Sequence, residues 1–136
     1  MAQRWLFKTE PSAYSFARLE ADGRTVWDGV RNALALRHLA AVRPGDEVLV
    51  YHTGDEKAAV GIARATRGAY PDPAHEDPKL VVVDLEPVRA LPRPVALADM
   101  RRSPKLAGFD LLRLPRLSVM PVSAAQWAEI LRMARD

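Results

Sequence analysis

The sequence predicts an α+β fold, a compact mixed β barrel with several short flanking helices. Three observations predict it. Runs rich in β-formers recur at residues 4–8, 47–51 and 80–88. Most of the helical patterns between and after them last only a few turns. Eleven prolines punctuate the chain, and strands interleaved with short helices and prolines suit a mixed barrel better than a regular βαβ sheet.

Each element has a local reason. Residues 4–8, Arg-Trp-Leu-Phe-Lys, form a strand with Trp5 and Phe7 on one face, ended by Pro11. Residues 12–20 give one or two helical turns, with Phe16 and Leu19 three apart, capped by Ser12 or Ser15 and stopped by Gly23. Asp28-Gly29 is a turn, since Gly tolerates positive φ and Asp bonds its own local backbone, so Trp27 sits at the lip of a bend. Residues 32–43 form a helix with Ala35, Leu36, Leu39 and Val42 on one side and Arg37 nearly opposite.

Pro44-Gly45-Asp46 punctuates, and residues 47–51 make the clearest strand, delivering His52 and Thr53 at its end. Residues 57–66 read as a strand with Gly61 inside, the mark of a bulge or a close backbone approach. Residues 70–78 hold three prolines and are expected to be loop, while residues 80–88 form a near-continuous apolar strand buried on both faces. Pro92 and Pro94 are expected to break the chain again. Residues 97–102 give a short helix, and Ser103-Pro104 the cap and first position of another. Residues 111–114 leave the choice open, and residues 116–121 form a short strand closed by proline. Ser123 and Gln126 make a capping box for a last helix whose Trp127, Ile130, Leu131 and Ala134 share one face.

The 136 residues suffice for one domain with its own core, residues 1–136. No cysteine is present, which removes thiolate zinc sites, disulfides and cysteine nucleophiles together. The N-terminal residues lack an apolar h-region with a small-residue cleavage site, and no apolar run approaches the ~20 residues of a membrane span, so a cytoplasmic location is expected. Lysine plus arginine is 20 against 17 acidic residues, a formal charge of +3. That mild bias, made mostly of arginine, is compatible with a nucleic-acid partner and does not demand one.

The stretch from Thr25 to Asn32, Thr-Val-Trp-Asp-Gly-Val-Arg-Asn, concentrates the chemistry. It sets an aromatic plate, Trp27, beside Arg31 and Asn32, the side-chain types that bond nucleobase edges in bidentate fashion. On residue types alone the ordinary alternative is favoured: Trp27 as a core anchor, Asn32 as an N-cap and Arg31 as a surface cation.

The blocks Trp5-Leu-Phe-Lys-Thr-Glu-Pro11, Trp27-Asp-Gly-Val-Arg-Asn32, Gly45-Asp46, Tyr51-His52 and Arg116-Leu-Ser-Val-Met-Pro121 stand in this order. With them the chain resembles the EVE domain family over essentially its whole length. The resemblance implies a PUA-like pseudobarrel, akin in fold to YTH and ASCH domains, with a pocket for a modified base in DNA or RNA, and it implies no enzymatic activity and no cofactor. By motif position it points to Trp27, Arg31, Asn32, Tyr51, His52, Arg116 and Ser118 as pocket residues, and less firmly to Lys8 and Tyr14. With Lys8, the cations Arg37, Arg64 and Arg67 are the candidates for gripping phosphates. The chain also departs from the pattern. Where the family often runs Tyr-Gln-Ala-Arg-Asn-Asn-Leu-Arg after the asparagine, this chain has Ala33-Leu-Ala-Leu-Arg-His-Leu-Ala40, so two familiar polar positions are Leu36 and Ala40.

Two other classes compete. A small-molecule or protein-interaction module would use the proline loop or the last helix. An enzyme would need catalytic groups to converge: His38, His52 and His75 lie on three elements, and Ser118 with His52 lacks a Gly-x-Ser-x-Gly elbow. His75-Glu76-Asp77 has metal-ligand residue types, but in a proline-rich loop it reads as a solvated charge run, so no metal is expected. Neither a Walker loop nor a dinucleotide fingerprint is present.

Overall fold

The computed structural model describes residues 2–135. Six strands, β1 (Arg4–Thr9), β2 (Thr25–Trp27), β3 (Glu47–His52), β4 (Ala58–Pro71), β5 (Val81–Ala96) and β6 (Val119–Pro121), form one sheet in the order β2-β5-β4-β3-β1-β6. The β1–β3 pair is parallel and every other pair antiparallel. Five helices flank it: α1 (Phe16–Asp22), α2 (Ala33–Ala40), α3 (Leu97–Arg101), α4 (Asp110–Arg113) and α5 (Ala124–Arg135), with a 3-10 turn at Pro104–Leu106.

The sheet curls into a half-barrel. Three strands separate β2 from β1 in the sheet order, yet the rings of Trp27 and Phe7 lie 5.5 Å apart between centroids. Only a curled sheet brings them together. Leu6, Phe7, Leu49 and Leu85 are fully buried within the core cluster. α5 packs on β5 and the 3-10 turn and buries Trp127 and Ile130.

Helix boundaries follow local chemistry. Ser15, not Ser12, caps α1 by accepting the Arg18 N–H at 3.0 Å, and Gly23 ends the helix in the left-handed region. α2 is shorter than the 32–43 expected; Asn32 is its cap, with Oδ1 accepting the Ala35 N–H at 3.0 Å. Ser123 and Gln126 form the expected capping box, each accepting the other's backbone N–H. Residues 111–114, left open by the sequence, fall largely in α4.

The two long strands depart most from expectation. β4 runs on to Pro71, so Tyr70 and Pro71 pair with Val82 and Val81 instead of starting the loop. β5 continues through Pro92 and Pro94 to Ala96. Its register jumps from Ala90 opposite Gly61 to Val95 opposite Ala59, so both prolines fall in a bulge where no ladder N–H is required. At the other end of the chain, the strand expected over residues 116–121 begins only at Val119. Arg116 lies in a turn and Ser118 in the bend just before β6.

Candidate nucleic-acid interface

The half-barrel does not close by hydrogen bonds, and its seam is a cleft of about 520 Å³. One wall is β2 and the turn after it, residues 25–31. The other is Lys8 and Thr9 at the end of β1, with Ala13 and Tyr14 beyond it and Ser118 ahead of β6. Strand alternation puts Thr25 and Trp27 on the same face of β2, while Val26 between them points out and is 47% exposed. Gly29, at φ 78°, turns the chain after Trp27 as the Asp28-Gly29 pair predicted.

Trp27 is held from two sides. Phe7 lies against it at a 48° tilt, and Tyr14 meets it edge-on, at 88° and 6.3 Å. At 7% exposure Trp27 gives the cleft little of its ring, and its larger part is core. Tyr14 is half-buried and offers more surface. Its hydroxyl donates to Asp22 Oδ2 at 2.9 Å. Burial first, and the Asp22 bond and charge in addition, push this phenol above its ordinary pKa, so it stays a neutral aromatic wall.

Lys8 supplies fixed positive charge. Its Nζ donates to the Pro115 carbonyl at 2.8 Å and stands 5.9 Å from the centroid of the Tyr51 ring. Burial holds this ammonium below its ordinary pKa. Arg31 occupies the opposite edge of the cleft, exposed, with Nη2 3.3 Å from His75 Nε2. His75 in turn lies 3.8 Å from Asp72, which ties the 72–80 loop to the mouth of the cleft.

Of the residues singled out in the sequence, the cleft therefore gathers Trp27, Arg31, Ser118, Lys8 and Tyr14. Asn32 and Arg116 line a neighbouring, more apolar groove of about 320 Å³ with Leu34, Leu114 and Leu117. Tyr51 lies buried behind Lys8, its phenol pushed up by burial. His52 is also buried, and both ring nitrogens are engaged. Nε2 accepts the Phe16 N–H at 3.0 Å, so Nδ1 carries the proton it donates to Glu56 Oε2 at 2.7 Å. No ring nitrogen remains for Ser118 or for a base. Arg37 lines a third groove, and Arg64 and Arg67 lie on the outer face of the sheet.

The cleft also contains residues the motif reading passed over: Thr9, Ala13, Thr25, Val26, Asp28, Gly29 and Val30. Thr25 was findable from its place two residues before Trp27. Thr9 and Ala13 were not, since they depend on how β1 meets β2 across the seam.

Another family block proves structural. The Asp46 carboxylate is 2% exposed and accepts from the Gln3 N–H, the Trp5 indole and the Arg43 N–H, each at 2.9 Å. It pins the start of β1 to the turn before β3.

A curled mixed half-barrel with an aromatic-walled cleft at its open seam defines a PUA-like domain. The sequence profile of the EVE domain matches residues 3–133, and the chain belongs to that family. A solved protein from Rhodopseudomonas palustris is 40% identical and superposes with a TM-score of 0.93, covering 98% of this chain and 94% of that one. Human thymocyte nuclear protein 1 is 27% identical over an alignment that covers 98% of this chain and 74% of the human protein. A crystal structure of that human protein in complex with 5-methylcytosine-containing DNA superposes with a TM-score of 0.91 over 99% of each chain.

Proposed function

We propose that this chain is a non-catalytic, cytoplasmic nucleic-acid-binding module that reads a modified base, in DNA or RNA, within the seam cleft. The observation that carries the reading is the right-angled pair of Tyr14 and Trp27 beside Lys8 and Arg31. A planar base entering there meets an aromatic wall, the hydroxyl-bearing residues Thr9, Thr25 and Ser118, and the 28–30 turn. Stacking on an aromatic contributes ~1–3 kcal/mol per base, which offsets much of the few kcal/mol needed to unstack it from a duplex. Ala13 and Val30 supply apolar surface for an added methyl group.

The DNA complex of the human relative supports 5-methylcytosine as the first base to test. A binding role in preference to a hydrolytic one is supported by His52, whose two nitrogens are occupied by Phe16 and Glu56. The test is a binding screen against matched single- and double-stranded DNA and RNA, unmodified or carrying methylated or hydroxymethylated bases, at two salt concentrations. A preference for one modification that survives higher salt supports the cleft reading. Binding without preference, erased by salt, overturns it.

A further inference from the structure

The groove lined by Arg37, of about 450 Å³, runs between α2 and the 72–80 loop and shares Arg31 with the seam cleft. Its floor is apolar, with Leu36 and Ala40 from α2 and Leu80 from the loop. Arg31, Arg37 and Lys79 line it against a single carboxylate, Asp77. Asp77 Oδ1 already accepts the Lys79 backbone N–H at 2.9 Å. Among the described residues, no carboxylate pairs with Arg37 within 4.0 Å. The cationic excess is therefore open to a ligand's anionic groups.

The outer face of the sheet is different. Arg64 stands in register between Glu47 and Glu86, and reaches Glu86 at 3.5 Å. Arg67 lies 3.6 Å over the Tyr70 ring and opposite Asp84, which accepts the Tyr70 hydroxyl. Arg64 thus has a carboxylate partner, and Arg67 is occupied by the Tyr70 ring.

We infer that the groove between α2 and the 72–80 loop takes the phosphodiester backbone next to the base held in the seam cleft. Arg31 stands at the junction, and Arg37 and Lys79 are the phosphate contacts. The inference rests on the base-reading proposal for the cleft and assigns the strand its path. Sugar edges lie over Leu36 and Leu80 while the phosphates face the cations, an arrangement an apolar floor with a basic rim accommodates.

The experiment measures the affinity of a fluorescent single-stranded oligonucleotide carrying one 5-methylcytosine, and of its unmodified twin, across a salt series. It compares the wild type, the pair Arg37→Ala with Lys79→Ala, and the pair Arg64→Ala with Arg67→Ala. All four side chains are exposed, and cooperative melting checks that both variants fold. Each phosphate contact on a single strand contributes a slope of about 0.7 in log K against log salt. The groove pair should flatten the slope by about 1.4 and keep the wild-type ratio between modified and unmodified strands. The sheet-face pair should leave the slope unchanged. An unaltered slope in the groove pair, or equal flattening by both pairs, overturns the path. Wild-type binding without base preference defeats the cleft reading alone, and no binding at all defeats both.

Discussion

Gly61 has no side chain because the ring of Phe16 occupies the space: a β-carbon there would lie 2.5 Å from Phe16 Cε1. The contact fastens α1 onto β4 at the point where the β4–β5 register shifts. Phe16 is 4% exposed, so its ring has little room to retreat. Gly61→Ala should destabilise the fold by about 1–3 kcal/mol, read from urea unfolding. An unchanged midpoint would mean that α1 shifts freely.

His52→Ala tests a residue the motif placed in the pocket and the structure places in the framework. The substitution leaves the Phe16 N–H without its acceptor, at a cost of about 1–3 kcal/mol. Base preference should survive, provided binding is measured well below the melting temperature. Loss of preference with full stability would return His52 to the site.

Tyr14 and Trp27 should separate in the opposite way. Trp27→Ala removes a core residue and should cost about 3–5 kcal/mol, so its binding defect would be confounded with unfolding. Tyr14→Ala truncates a half-buried wall. It should lower affinity for the modified strand by about tenfold to a hundredfold, in line with ~1–3 kcal/mol of stacking, while the protein still melts cooperatively. Equal affinity for Tyr14→Ala and wild type would place the base elsewhere.

Asn32→Ala removes the cap of α2 and should cost about 1 kcal/mol. Asn32→Ser, which keeps a capping oxygen, should recover most of that stability. If both lower base discrimination equally, the asparagine reads the ligand as well as capping the helix.

The Glu129 carboxyl is held at about 2, below its ordinary 4.5, first by the Arg132 guanidinium and then by the Ser103 hydroxyl. A carboxyl held lower in the folded than in the unfolded chain stabilises the fold above the unfolded value, and that contribution fades as pH falls through the folded one. The stability gap between wild type and Glu129→Gln should therefore be full above about pH 4.5 and close towards pH 2. Urea midpoints at several acidic pH values measure it. A gap constant across this range would remove Glu129 from the acid response.

What the sequence revealed tracks how local each cause is. The Ser123–Gln126 box, the Asn32 cap and the Asp28-Gly29 turn are satisfied within four residues, and all were readable. The reach of β4 and β5 was not, because Pro92 and Pro94 break a strand by local rules and are tolerated only through a bulge set by the partner strand. The cleft divides likewise. Trp27 and Arg31 belong to one contiguous stretch, whereas Thr9, Tyr14 and Ser118 reach it only when the sheet curls and its ends approach. Motif position also merged two roles, since His52 and Asp46 hold the scaffold by buried hydrogen bonds and contribute no surface to the cleft.

The prolines of β5 have a further effect. β2 pairs with only residues 83–85 of that strand, so from Glu86 to Ala96 one edge has no partner strand. Pro87, Pro92 and Pro94 all fall there. An uncovered strand of that length is a template on which another copy of the chain can extend its own sheet, and three missing N–H donors deny it a continuous ladder. The same residues that obscure the strand in the sequence make its unpaired edge a poor template for a second chain.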